Sequence, residues 1–400
     1  MALASGLAHA DPMDLSLSRL SFFNDTPWNN GGVSYDPARW RFMGGCGTPA
    51  TGAVPGVVGG GQAYAQCYAD NQLWANLVNE LGAALAPSLA TPAMTLGIAG
   101  LYVGYEISIT NLHNTADHWR RGTEGTVGSD VNSDTRTTRD NGDAAAFVSH
   151  LHVRKGLPFG FELGTQATHM HSSNIWAIGA DVRWSLFEGF HRNWGWLPDL
   201  AVRGSVNTVV GQTQYALTVV GIDGMLSKRF TVGGSVRLSP YLGAQALFIF
   251  GDSGVVDLTP SRNARAECPR QEIRYVPDPN TGVGRSPSGL VGQVVCNGGG
   301  TLPAGVPGEL NDTRNSAVFQ PVRILRPRGF LGLQMQWEIL VITAEFGVDI
   351  GSPSFLNTPP ADAGRPLTQA VSAGASTRAP LTLDGYTQWT TTLGIGLAFH

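Results

Sequence analysis

The sequence predicts an all-β chain: a transmembrane antiparallel up-and-down β-barrel of about ten strands (roughly eight to twelve), preceded by a helix-containing N-terminal region. Three observations predict it. Segments of about ten residues alternate large apolar side chains with small or polar ones, the period of a strand with two unlike faces. Charged residues are only 14% and glycine is 52 of 400, where a soluble domain averages about 25% charge and about 7% glycine. The long polar connections all follow odd-numbered strands, so all lie at one end. Barrels put long loops outside and short turns in the periplasm, and a soluble sandwich has no reason to sort its loops by parity.

No segment is apolar over the ~20 residues that a membrane helix needs. Residues 94–103 and 339–350 come nearest, yet carry Gly, Glu or Asp at alternate positions, as a barrel strand does. The net charge of -4 argues against nucleic acid as a partner.

Residues 1–10 end in Ala8-His9-Ala10 before Asp11, the small-x-small pattern of a signal-peptidase site, and are taken as the remnant of a signal peptide. Residues 11–93 form an N-terminal region, either periplasmic or a plug. In it Cys46 and Cys67 bracket a Gly/Ala/Pro-rich loop. An even cysteine count in an exported chain reads as disulfides. The 4 cysteines allow three pairings, of which Cys46–Cys67 with Cys268–Cys296 is the economical one. Neither pair has the C-x-x-C spacing of a metal or redox site. The spacing predicts a helix over 70–86: Asp70 or Asn71 can cap it, and Leu73, Leu77, Val78, Leu81 and Leu85 share a stripe that Trp74 and Ala84 widen. Pro87 and Pro92 end it. Such a helix packs on neighbouring structure or plugs the barrel mouth.

The barrel occupies 94–400. Its first strand sets Leu101, Val103, Tyr105 and Ile107 against Tyr102, Gly104, Glu106 and Ser108. After an outer loop, 111–143, residues 144–155 and 159–171 form a hairpin through Gly156-Leu157-Pro158. Segment 174–187 carries Trp176 and Trp184 near its two ends, where aromatic girdles belong. Strands follow at 200–209, 215–227 and 235–250, then an outer loop at 251–320, strands at 328–337 and 339–350, and a third outer loop at 351–385. Twelve strands would need 15–23 and part of 251–320 to join the sheet. The link 188–199 is long for a periplasmic turn, and its Trp194 and Trp196 suit interfacial anchors.

The final strand places Trp389, Thr391, Leu393, Ile395, Leu397 and Phe399 on one face and Thr390, Thr392, Gly394, Gly396 and Ala398 on the other. It resembles the closing strand of Gram-negative outer-membrane β-barrel proteins, whose assembly signal is a polar residue, Gly two on, then large apolar residues near the end. Thr392, Gly394, Leu397 and Phe399 match those places. Leu397 stands where an aromatic is common, and His400 is extra. The resemblance implies an outer-membrane location, contact with lipid, and a barrel-assembly machinery as partner.

The strands' polar face carries Glu106, Glu162, Asp181, Asp223, Glu345 and Asp349 against Arg154, Arg183, Arg203, Arg237 and Arg328, with His150 and His152. These are the candidate lumen-lining residues. They form either a salt-bridged, filled interior or a narrow pore whose charged wall selects solutes. No metal or other cofactor is expected. The pairs His150/His152 and His169/His171 are predicted to sit at opposite ends of their hairpin, too far apart for one site. His113, His118, Asp117 and Asp143 lie on an outer loop without a nucleophile motif, so an enzyme is not expected, with a barrel hydrolase as the alternative. The leading functional expectation is a narrow channel or porin-like transporter for a small solute. The alternatives are a filled structural or adhesive barrel acting through its outer loops, and a hydrophobic-molecule transporter with an N-terminal plug.

Overall fold

The structure is a computed structural model that describes residues 11–24, 66–88, 90–124, 143–186, 198–258, 271–273, 294–296, 316–357 and 381–399. The expected signal remnant, Trp194, Trp196, His400, Cys46, Cys268 and most of the three long outer loops fall outside them. Cys67 pairs opposite Phe23 and Cys296 opposite Gln271 in short two-stranded sheets.

Ten long strands form the wall: β1 Leu101–Asn111, β2 Ala145–Gly156, β3 Phe161–Met170, β4 Ile175–Ser185, β5 Asp199–Val210, β6 Tyr215–Ser227, β7 Val236–Ser253, β8 Val322–Trp337, β9 Leu340–Asp349 and β10 Trp389–Phe399. Each pairs antiparallel with the next, and β10 pairs with β1 from Thr390↔Thr110 to Phe399↔Leu101, which closes the barrel. Closure leaves no long strand with an unpaired edge. Ser21–Asn24 pairs with Gln66–Ala69 in a separate sheet, so the barrel stays at ten strands.

β8 begins at Val322, earlier than the expected 328, because Pro327 does not break it. Pairing of β8 with β9 stops at Arg328↔Asp349, so Pro327 lies one residue beyond the last β9 partner. The proline therefore needs no N–H on that side. Pro240 of β7 lies likewise one residue beyond the last β6 partner, Tyr241↔Ser227.

The β2–β3 turn corrects one expectation. It runs through a 3-10 turn, Pro158–Gly160, with Phe159 at φ 64°. Gly156 pairs with Glu162, His150 with Thr168 and Ser149 with His169. The two histidine pairs thus stand at nearly the same height, not at opposite ends of the hairpin. What separates them is the face: His150 and His152 are buried inside, whereas His171 is exposed.

Outward side chains are apolar around the wall, as Ile178 at 59%, Leu331 at 61% and Leu393 at 60% exposure show. Exposed aromatics mark the strand ends: Phe161 stacks on Trp184 at one rim, and Trp389 neighbours Phe346 at the other. An apolar band between aromatic girdles is the surface of a transmembrane barrel. Among the described residues no helix is long and apolar enough to cross a membrane.

The core lies inside the barrel. Helix α1, Asn71–Ala84, is capped by Asp70, whose side chain accepts from the Leu73 amide. Leu73, Trp74, Leu77, Val78 and Leu81 cluster with inward residues from β2, β3, β4, β6, β7 and β8, among them Val148, Met170, Ile175, Val219, Ile249 and Ile324. Because wall surrounds it, the helix's polar side is buried too, with Asn79 and Glu80 at 0% exposure. Two glycines let helix and wall touch. A Cβ on Gly82 would lie 2.4 Å from Ile249 Cγ2, and one on Gly251 would lie 2.6 Å from Val78 Cγ1.

Candidate functional site

From α1 the chain descends through the lumen to β1, and the candidate lumen residues meet it on the way. Ser88 donates to Glu106. Glu106 faces His152 at 3.6 Å, and His152 Nε2 lies 3.0 Å from Asp181 Oδ1. Gly164 makes room for that carboxylate, since a Cβ there would lie 2.1 Å from Asp181 Oδ1. Arg154 donates to Thr91 at 2.7 Å and sits 3.5 Å from Glu162 Oε1. Its guanidinium also covers the Tyr102 ring at 4.0 Å. Arg183 donates to Glu162, to Thr91 and to the Pro92 carbonyl. Glu162 also accepts from the Leu96 amide at 3.0 Å. A charge removed from water is tolerable only when paired and hydrogen-bonded, and the belt pairs its charges through wall and chain segment together, with Arg154 Nε and Arg183 Nε left over.

The other candidates pair along the wall. Arg203 Nε donates to Asp223 at 3.1 Å, and the Tyr241 hydroxyl donates to Glu345 at 2.9 Å. His150 neighbours Thr168 at 3.0 Å. Arg328 lies 3.6 Å from Asp349. Arg237 differs: it shares the parity of Ser239 and Tyr241 but sits exposed at the rim, outside the packed interior. Below the belt, Ala93 packs with Ala201, Met225, Tyr241 and Phe330, and Leu96 packs with Tyr102, Val341 and Ala398. The segment therefore runs through the lumen from one mouth towards the other.

Arg326 is a central residue that sequence reasoning missed. Fully buried, it donates to Asn79 Oδ1 of α1, to Asp349 and to the Tyr386 carbonyl. It falls in residues 321–327, between the expected loop and the expected strand, although its even-numbered parity with Arg328 was a usable signal.

The mouth opposite the β2–β3 turn holds a second group. His118 lies on α2, Asp117–Gly122, in the connection from β1 to β2, and is 2% exposed. Its Nε2 is 2.8 Å from Glu80 Oε1. Glu80 Oε2 accepts from Trp119 Nε1 at 2.7 Å and from the His113 amide at 3.0 Å. Asp384, from the connection between β9 and β10, reaches the same place and meets His113 Nδ1 at 2.8 Å. Glu80, His118 and Asp384 each offer an atom within 4.8 Å of the others. The sequence singled out His113 and His118 but not Glu80 or Asp384, which only the fold brings to them. Asp117 and Asp143 do not join the group.

The residues expected to carry an assembly signal lie on β10: Thr392 is buried and bonds Ser108 at 2.9 Å, while Leu397 and Phe399 face outward. Gly394 lets Glu106 approach, since a Cβ there would lie 3.0 Å from Glu106 Cγ.

No family profile matches the chain, and no curated protein does. Solved structures similar to it include the KdgM porin, with 6% identity and TM-score 0.25, covering 75% of this chain and 99% of that one. The outer membrane protein OprG from Pseudomonas aeruginosa has 11% identity and TM-score 0.25, covering 76% and 98%. Ail, the attachment invasion locus protein of Yersinia pestis, has 11% identity and TM-score 0.22, covering 75% and 97%. Likeness of this size carries no argument about activity, and the barrel assignment rests on this chain's own closure and surfaces.

Proposed function

We propose that this outer-membrane β-barrel is a filled barrel that acts through its outer face, with α1 and residues 85–99 as a resident plug. The observation that carries the reading is the occupied lumen. Leu73, Trp74, Leu77, Val78, Leu81 and Leu85 are all buried there. At about 1.5–3 kcal/mol for each apolar side chain, exposing them costs on the order of 10 kcal/mol by area bookkeeping. Thermal opening is then negligible, and the resting barrel conducts nothing. Insertion by a barrel-assembly machinery through Thr392, Gly394, Leu397 and Phe399 belongs to the same proposal.

A second reading, a plugged channel for a small solute, draws support from the lower half of the segment. There Ser88, Thr91 and Leu96 are held through hydrogen bonds to Glu106, Arg154, Arg183 and Glu162, which water can replace at small net cost. Planar-bilayer recording separates the two. The full chain should show no stable open steps, and deletion of residues 11–93 should produce them. Open steps in the intact chain would sink the filled-barrel reading.

A further inference from the structure

Glu80, His118 and Asp384 converge at the outer mouth from the lumen helix, the first outer loop and the last outer connection. We propose that they bind a divalent transition-metal ion of zinc-like preference, with His118 Nε2 and one oxygen of each carboxylate as ligands and water completing the shell.

Their ligand atoms lie within 4.8 Å of one another, a spread that a central ion with bonds of about 2.0–2.2 Å spans after a small contraction. The burial is what a site needs: Glu80 is 0% and His118 2% exposed, while the Asp384 side chain at 29% leaves a way in. The surroundings hold each carboxylate by its second contacts. Glu80 Oε2 is fixed by Trp119 Nε1 and the His113 amide, which leaves Oε1 turned to His118. Asp384 Oδ2 meets His113 Nδ1, and its Oδ1 accepts from the Tyr386 amide at 3.2 Å. His113 in turn stacks on Tyr386 with ring centroids 4.6 Å apart. Outer groups that orient ligating carboxylates are what metal sites use to fix donor direction.

A buried His118–Glu80 pair accounts for two of these residues, and Asp384, itself paired with His113, adds a second carboxylate within 4.8 Å of the same ligand atoms. A dication between the carboxylates removes their repulsion. One imidazole with two carboxylates suits zinc, cobalt or manganese; calcium prefers six to eight oxygens. The ion would clamp the lumen helix to both outer segments.

The test uses the full chain, stripped with chelator in detergent and titrated with Zn2+ and with Co2+. One equivalent of Zn2+ should bind, and Co2+ should give the visible absorption of a low-coordinate nitrogen and oxygen site. Asp384→Asn and His118→Gln should each weaken Zn2+ at least tenfold, and His113→Ala about 10–100-fold, with heat-modifiable gel mobility confirming that each variant is folded. Asp384, partly exposed, keeps the test independent of folding should a buried variant fail. Absence of stoichiometric Zn2+ binding by the intact chain would overturn the proposal, as would affinity unchanged in folded Asp384→Asn.

Discussion

Gly82→Ala decides by its sign whether α1 rests against the barrel wall. In a solvated helix, alanine at this position stabilises by about 0.8–1.0 kcal/mol, because glycine carries the larger conformational entropy. In the docked helix the new methyl would lie 2.4 Å from Ile249 Cγ2 and 3.0 Å from its Cγ1 and Cδ1. The nearest atom branches from Cβ, so relief requires Ile249 to leave its rotamer or the helix to shift. Overpacking of this kind costs about 1–3 kcal/mol. The balance is destabilisation of docking by up to about 2 kcal/mol, or a loss of amide protection over 71–84 approaching thirtyfold, at tenfold for about 1.4 kcal/mol. Ile249→Ala removes all three contacted carbons. In that background Gly82→Ala should recover its stabilising sign, with a coupling of about 1–3 kcal/mol between the sites. The assay is amide hydrogen exchange of the intact chain in micelles for both single variants and the double. Equal gains in protection in both backgrounds would mean that Gly82 does not touch Ile249, and the packed lumen would be refuted.

Other expectations test the wall. Glu162→Gln leaves Arg154 and Arg183 short of their shared carboxylate and should cost about 3–5 kcal/mol, seen as a lowered thermal midpoint of the folded gel band; a change under about 1 kcal/mol would show that water already screens the belt. Leu393→Arg puts charge in the middle of the outward band and should cost about 2–4 kcal/mol in folding into lipid vesicles, whereas Val232→Arg, in the short strand Phe230–Val232 beyond the rim, should cost about 0–1. Similar costs at the two positions would argue against lipid around that band.

Much of the wall was legible because strand alternation is a local property. The odd and even faces of β4 and β10 follow from the order of residues alone. Register was less legible. The hairpin after β2 was misplaced because residues 157–160 turn through a left-handed Phe159, which no spacing rule announces. β8 was begun too late, at 328 instead of Val322, and the place of Pro327 within it depends on where β9 stops.

The sequence by itself determined that this chain is a closed β-structure with an apolar outside, since each strand writes its two faces into every second residue. It also wrote the parity that most of the wall's charges share, although Arg237 ends exposed at the rim and the buried Arg326 went unread. Only the tertiary structure decided what those charges do. Arg183 and Glu162 were equally consistent with a solvated pore wall until Thr91, Pro92 and Leu96 were found beside them. Glu80 looked like the polar side of an ordinary amphipathic helix until His118 and Asp384 closed over it. The physical reason is range: alternation is set by neighbours in the chain, whereas pairing across a lumen joins residues tens to hundreds of positions apart.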